Sequence, residues 1–193
     1  MKSNYLIWHS KALPNVCSLN KLTGVEKVYE LSDGVALAAN FPRNASYAMD
    51  PDFPEDTLLT DSFIDLGSRI VASKKLKEFL QSQNVPKVEY LPVTILNHKG
   101  KPASRDYFIV HPLDPVQCLD LGKCEPTWSR IDKTTIDRVK RLCLDETTVE
   151  KTRTLFRPVS YPLVNLVHRR LAEAIDKQEF GGMRWVELEE YEA

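Results

Sequence analysis

Residues 70–96 read IVASKKLKEFLQSQNVPKVEYLPVTIL, and this stretch decides the fold class. The apolar run at residues 70–72 predicts a strand, and Ser73 is of a residue type that caps helix N-termini. The helix that follows continues to about Asn84, and its apolar residues Leu76, Phe79 and Leu80 share one face at helical spacing. Val85-Pro86 ends it, and Val88–Leu96 returns to strand character. The stretch is therefore a strand–helix–strand unit.

A hairpin follows this unit. His98–Pro102 has the composition of a tight loop, and Tyr107–Val110 is the returning strand. Pro92 lacks a backbone donor and predicts an edge strand or a bulge in the first arm of the hairpin. Together these elements predict the α+β class with a mixed, largely antiparallel sheet.

The same pattern recurs 95 residues later without a gap. Residues 163–166 predict a strand, residues 167–178 a helix that exits at Gly181-Gly182, and residues 183–188 another strand. Neither unit can bury its apolar stripe alone, so we expect the two to share a sheet layer. An internal duplication explains the constant offset. Alternatively, any two strand–helix–strand units share this binary pattern.

The remaining elements are less regular. Residues 26–31 alternate in polarity and predict a strand before the Ser32-Asp33-Gly34 turn. Two further strands are expected near residues 139–144 and 152–156. We expect one domain over residues 1–193, with N-terminal strands and an acidic loop in residues 1–60.

Bulk composition narrows the class of protein. The chain has 193 residues, 42% hydrophobic and 27% charged, which is typical of a globular domain. The net charge of −1 lacks the basic excess of a dedicated nucleic-acid binder. The apolar run at residues 5–8 is shorter than a signal-peptide core, and no window is long enough to span a membrane. These features predict a cytoplasmic protein.

The four cysteines have no metal-site spacing, so we expect reduced thiols and no cofactor. No nucleotide, hydrolase or metalloprotease motif occurs. A Cys143/His111 nucleophile pair and a metal site formed by Asp114, Asp120 and Asp145 are the catalytic alternatives. Because these residues belong to no recurring pattern, we expect no enzyme and no metal.

An acidic window is the clearest functional signal. Residues 44–68 contain six acidic residues and no Lys or Arg, so this window carries −6 and the rest of the chain +5. One interpretation is a solvated loop whose acids cap turns. The other is a face that meets a basic partner. The candidate partner-binding residues are Asp50, Asp52, Phe53, Glu55, Asp56 and Asp61. Tyr47, Met49 and Phe63 are either additional apolar anchors or core residues.

Basic pairs support a second hypothesis, a non-enzymatic binding module for another protein or for nucleic acid. They are Lys74-Lys75, Lys140-Arg141 and Arg169-Arg170, with Arg138 nearby. Two of the pairs lie in the first turn of a predicted helix, where cations oppose the helix dipole. No aromatic platform accompanies them, which argues against single-strand binding.

Several segments also resemble a known family. They are Asp61–Ile64, Ile70–Ser73, Val88–Val93, Tyr107–Val110, Asp120-Leu121, Leu155–Arg157, Leu171–Ile175 and Gly181–Trp185. The pattern is similar to a bacterial domain once of unknown function, whose members are now described as immunity proteins of polymorphic toxin systems. The similarity extends over about residues 52–188, and we take 61–188 as the family-like region. Cys124 stands where the family often has a serine.

The resemblance implies a small cytoplasmic protein that binds a cognate toxin and blocks it in the producing cell. Such toxins are often nucleases. It implies no catalytic residue and no cofactor, and it does not identify the toxin.

Overall fold

The structure, a computed structural model, describes residues 2–191. Its strands and helices are, in chain order, β1 (Tyr5–Ser10), α1 (Glu30–Asp33), β2 (Ser46–Ala48), β3 (Ser62–Ile64), β4 (Ile70–Ser73), α2 (Lys74–Ser82), β5 (Val88–Leu96), β6 (Pro102–Pro112), α3 (Leu121–Cys124), β7 (Pro126–Trp128), β8 (Ile136–Val139), β9 (Leu155–Phe156), β10 (Leu166–His168), α4 (Arg169–Asp176) and β11 (Met183–Val186). This composition confirms the α+β class.

The larger sheet has the strand order β2-β5-β6-β4-β3. Strands β4 and β5 both run antiparallel to β6, whereas β2 is parallel to β5, which makes the sheet mixed. Of the two alternatives predicted from Pro92, the structure shows the irregularity: the register of β5 against β6 shifts between Val93 and Leu96, whereas β5 lies between β2 and β6 and is not an edge strand. The hairpin between β5 and β6 is also as predicted.

The second sheet has the order β11-β1-β10-β9, and all its neighbours are antiparallel. Its central strand, β1, is built from the short apolar run that was too short for a signal peptide. Tyr5, Leu6, Ile7 and Trp8 are all buried. Four consecutive buried residues fit a strand that is covered on both faces. Periodicity alone does not distinguish such a strand from other short apolar runs.

The two strand–helix–strand units match in position and in pairing. Helices α2 and α4 begin 95 residues apart, as do β5 and β11. In each unit the two strands flank one antiparallel strand, which is β6 in the first and β1 in the second. The expectation of a shared sheet layer is wrong, because the units belong to different sheets. The units nevertheless share one core cluster, which includes Trp8, Ile70, Leu76, Leu171 and Ile175.

Local chemistry explains both helix starts. The Ser73 hydroxyl accepts a hydrogen bond from the Leu76 amide at 3.2 Å, as the predicted cap requires. At the equivalent position His168 caps α4, its Nδ1 accepting from the Arg170 amide at 3.2 Å. The buried faces of the helices are formed by Leu76 and Leu80 in α2 and by Leu171, Ala172 and Ile175 in α4.

Several predicted strands differ from the structure. Residues 26–31 form turns that lead into α1, and not a strand. In a strand Tyr29 and Leu31 would share one face, but Leu31 is buried and Tyr29 is exposed. The strand expected at 139–144 is wrong: β8 ends at Val139, and the rest of that range forms only an isolated bridge between Leu144 and Leu119. The strand expected at 152–156 is reduced to β9.

A buried polar cluster joins the loops β3–β4 and β9–β10. The Arg157 guanidinium donates to Asn165 Oδ1 at 2.9 Å, to Leu31 O at 3.2 Å and to Ser68 O at 3.0 Å. Burial lowers the pKa of Arg157 to about 10, and the nearby charge of Arg69 adds to this effect. The cluster therefore fixes one sheet relative to the other.

Candidate protein-binding surface

The acidic segment, defined here as residues 50–56, folds into two consecutive turns. The Phe53 amide donates to Asp50 O at 3.2 Å, and the Asp56 amide donates to Phe53 O at 3.1 Å. Asp50 Oδ1 accepts from the Asp52 amide at 3.1 Å, and the His98 ring contacts Asp50 O at 3.1 Å. The segment is thus held by its own backbone and by the β5–β6 hairpin loop.

Its side chains point mostly outward. Asp52 and Glu55 are exposed, and Asp50 and Asp56 are half-buried. Phe53 lies between them with 54% of its surface exposed. Among residues 2–191, none forms an ion pair with these four carboxylates. The segment therefore presents uncompensated negative charge around an exposed aromatic ring.

The other two acids of the window have structural contacts. Asp61 accepts from the Ser73 hydroxyl at 2.8 Å and from the Gly181 amide at 3.1 Å, which ties β4 to the approach to β11. Asp65 is buried and accepts from Arg69 Nε at 2.7 Å and from the Tyr47 hydroxyl at 2.7 Å. Burial raises the pKa of Tyr47, and the charge of Asp65 raises it further.

The apolar residues of the window divide in the same way. Tyr47, Met49 and Phe63 belong to the core, so of the four aromatic and Met candidates Phe53 is the one presented outward. Two leucines that sequence reasoning missed join it: Leu58 is 54% exposed and Leu66 is 81% exposed. Leu66 lies in the Asp65–Arg69 turn, and an apolar residue at such a turn is a signal that would have identified it.

A half-open cleft of about 520 Å³ adjoins the segment. Its lining includes Asp50 and Asp56, residues 10–13, Leu66 and Gly182. Cys17 is buried at the cleft, and burial raises the pKa of its thiol to about 11. A thiol with so high a pKa is protonated at neutral pH and is a packing group rather than a nucleophile.

Neither catalytic alternative is complete: Asp120, Asp145 and Cys143 line one cleft, but Asp114 and His111 do not line it. The buried His111 ring contacts Val35 O at 2.8 Å, whereas Cys143 borders that cleft beside Lys123 and Asp145. Asp114 pairs with Lys87 at 3.1 Å, away from that cleft. Cys124 is buried. Its thiol donates a hydrogen bond to Cys143 O and accepts one from the Cys143 amide. Within residues 2–191, no three His, Cys, Asp or Glu side chains are placed to hold a metal ion.

Many cations of the basic pairs are engaged within the chain. Arg169 pairs with Glu187, and Lys140 lies 2.9 Å from Glu125. Lys75 Nζ lies 4.9 Å from the centre of the Phe180 ring. Each of the three basic pairs thus has at least one cation engaged within the chain.

A family model described as Immunity protein family (Imm11) matches residues 14–190. The match begins earlier in the chain than the resemblance seen in the sequence and includes the whole acidic segment. A comparison with curated proteins gives no match. In the part of the chain that the structure describes, no helix is long and apolar enough to cross a membrane.

Proposed function

The chain belongs to the immunity protein family Imm11, and we propose that it binds a cognate bacterial toxin in the cytoplasm and neutralises it by protein–protein contact. Membership of the family implies a toxin partner. The mode of neutralisation that we propose is occlusion of a basic toxin surface by the acidic segment. It requires no bond-making step, no cofactor and no metal.

The observation that carries this proposal is the uncompensated charge of the acidic segment. Asp52, Glu55 and Asp56 have no ion-pair partner among residues 2–191, and exposed Phe53 stands among them. Complementary charge accelerates association and selects the partner, while a desolvated aromatic ring supplies affinity. Leu58 and Leu66 are further exposed apolar residues, and Leu66 borders the adjoining cleft.

The charge also favours one class of toxin. A nuclease must bind phosphate, so its active site carries Lys and Arg that an acidic inhibitor can contact. An acidic loop that covers such a site both neutralises its charge and blocks substrate entry. We therefore propose a nuclease as the partner.

Co-expression with the protein encoded by the neighbouring gene tests the proposal. Wild-type chain should rescue growth from that protein's toxicity and bind it when both are purified. Asp52→Ser, Glu55→Ser and Asp56→Ser together should weaken binding by about 10-fold or more at about 50 mM salt and by less at about 300 mM salt.

The matched control changes the same charge elsewhere: Glu150→Ser, Glu179→Ser and Glu190→Ser, all on exposed residues outside the acidic segment. This control should retain wild-type affinity. Equal weakening by both triple variants would mean that net charge, rather than the acidic segment, governs binding. Absence of both rescue and binding by the wild-type chain would remove the toxin assignment itself.

A further inference from the structure

A small hairpin stands apart from the two main sheets. Strands β7 and β8 form a separate two-stranded sheet. The hairpin is anchored in the core along β8, by Ile136 directly after the loop and by Val139 at the base, and the Ile136 amide donates to Ser160 O at 2.7 Å. The loop at its far end, residues 129–135, is the hairpin tip.

The hairpin tip is held rigid by polar contacts of its own. Asp132 accepts from the Thr134 amide at 2.9 Å and from the hydroxyls of Thr134 and Thr135 at 2.7 Å each. Ser129 Oγ accepts from the Ile131 amide at 3.3 Å. Ile131 takes part only through its backbone amide, so its side chain is not involved in holding the loop. The tip is therefore pre-organised, and a rigid loop loses less conformational entropy when it binds.

The side chains presented by the tip are apolar at the centre and cationic around it. Ile131 is 98% exposed, and Trp128 at the end of β7 is 39% exposed. Arg130 and Lys133 flank Ile131, are exposed and have no ion pair with any residue in 2–191. The one acid between them, Asp132, accepts hydrogen bonds from Thr134 and Thr135 that lower its pKa, so it keeps its negative charge and the two cations leave the tip with a net charge of +1. An apolar centre within a polar rim is the usual arrangement of a protein-binding interface.

We propose that the hairpin tip is a second contact with the toxin, in which Ile131 enters an apolar pocket with an acidic rim. This inference rests on the proposed function but uses a surface of opposite charge to the acidic segment. A protein partner fits better than a nucleic acid, because the residue at the apex is aliphatic and cannot stack on bases. Two contacts of opposite sign would also reject partners that match only one of them.

Ile131→Ser tests the contact against the toxin encoded by the neighbouring gene. We expect the affinity to fall at least 10-fold, about 1.4 kcal/mol, with an unchanged thermal midpoint. Arg130→Ser with Lys133→Ser should weaken binding mainly at low salt. Leu163→Ser is the matched control, since Leu163 is an exposed aliphatic residue outside both surfaces, and this variant should bind as wild type does.

The outcomes separate the two proposals. If the acidic-segment variant binds weakly while Ile131→Ser binds as wild type, the hairpin contact is wrong and the proposed function stands. If the wild-type chain does not bind the toxin, both fall. Tight binding of a single-stranded 20-nucleotide DNA that is lost on Trp128→Ala would replace the protein contact with a nucleic-acid one.

Discussion

Ile7 and Ile109 occupy the same position in the two sheets. Ile109 lies between Val71 and Leu91, and Ile7 lies between Leu166 and Val186. Leu166 comes 95 residues after Val71, and Val186 comes 95 residues after Leu91. A slip of one residue would move every buried side chain to the opposite face, so the same register on both sides of the central strand is a strong constraint. The relationship supports an internal duplication in which β1 takes the place of β6.

Because β1 takes the place of β6, we predict that β1 can follow β11 in the chain, as β6 follows β5. Lys2 Nζ lies 3.5 Å from Glu187 Oε1, so a short Gly/Ser linker should join residue 191 to residue 2. We expect a permutant that begins at residue 11 and ends with residues 2–10 to fold with a free energy of unfolding within about 3 kcal/mol of the parent. Denaturant unfolding followed by tryptophan fluorescence measures this.

The control for the permutant is residues 11–191 alone. It lacks the strand between β10 and β11, including the fully buried Ile7 and Trp8, and should not unfold cooperatively. A permutant that behaves like this truncated chain would show that the order of the strands, and not only their presence, is required.

Gly182 is predicted to be intolerant of any side chain. Its φ is +87°, and a Cβ atom there would lie 2.2 Å from Ser62 O. Gly100 has a similar φ of +69° but open space around it. Gly100→Ala should therefore cost only about 1 kcal/mol of backbone strain, whereas Gly182→Ala should cost several times more because β3 must move away. Thermal unfolding of the two variants compares them directly, and equal losses would argue against the close approach.

The sequence predicted what depends on local periodicity. Helices α2 and α4 and strand β5 follow from apolar spacing around Leu76, Leu171 and Val88. What it missed depends on distant partners. Residues 5–8 are a central strand only because β10 and β11, more than 150 residues away, pair with them. The placement of the second unit in its own sheet has the same origin.

The candidate site also has one part that the sequence predicted and another that required the folded structure. Composition identified the acidic window, and the structure places Asp52, Phe53 and Glu55 outward within it. Composition could not show that Asp61 accepts from Gly181 and that Asp65 accepts from Tyr47, since both bonds depend on the packed fold. Exposure of Ile131 is likewise a property of the folded surface and has no periodic signature, whereas the position of Leu66 in a turn is a local signal.

Arg157 should be among the most sensitive core positions. Its guanidinium donates to Asn165 Oδ1, Leu31 O and Ser68 O inside the protein. Arg157→Ala leaves buried acceptors without donors and should lower the free energy of unfolding by about 3–5 kcal/mol. Guanidinium unfolding measures the loss. Arg170→Ala, at an exposed position, should change it by less than about 1 kcal/mol. Similar values for both would show that the cluster does not join the sheets.

His111 should make stability fall in mild acid. The ring is buried against Val35 O, and burial lowers its pKa below 6.5. The charge of Arg157 also lowers the pKa. The Val35 hydrogen bond and Glu89 raise it, but the net shift is downward. The unfolded chain therefore binds the proton more readily, so stability present above about pH 6.5 is lost as the pH falls through 6.5 toward the folded pKa. His111→Gln keeps a donor for Val35 O but does not titrate, so its free energy of unfolding should fall less than that of wild type between about pH 7.5 and pH 5.5. At about pH 8, where imidazole is neutral in both states, the gap between the two proteins reports packing alone. Parallel pH curves for both proteins would show that protonation of His111 does not control the acid response.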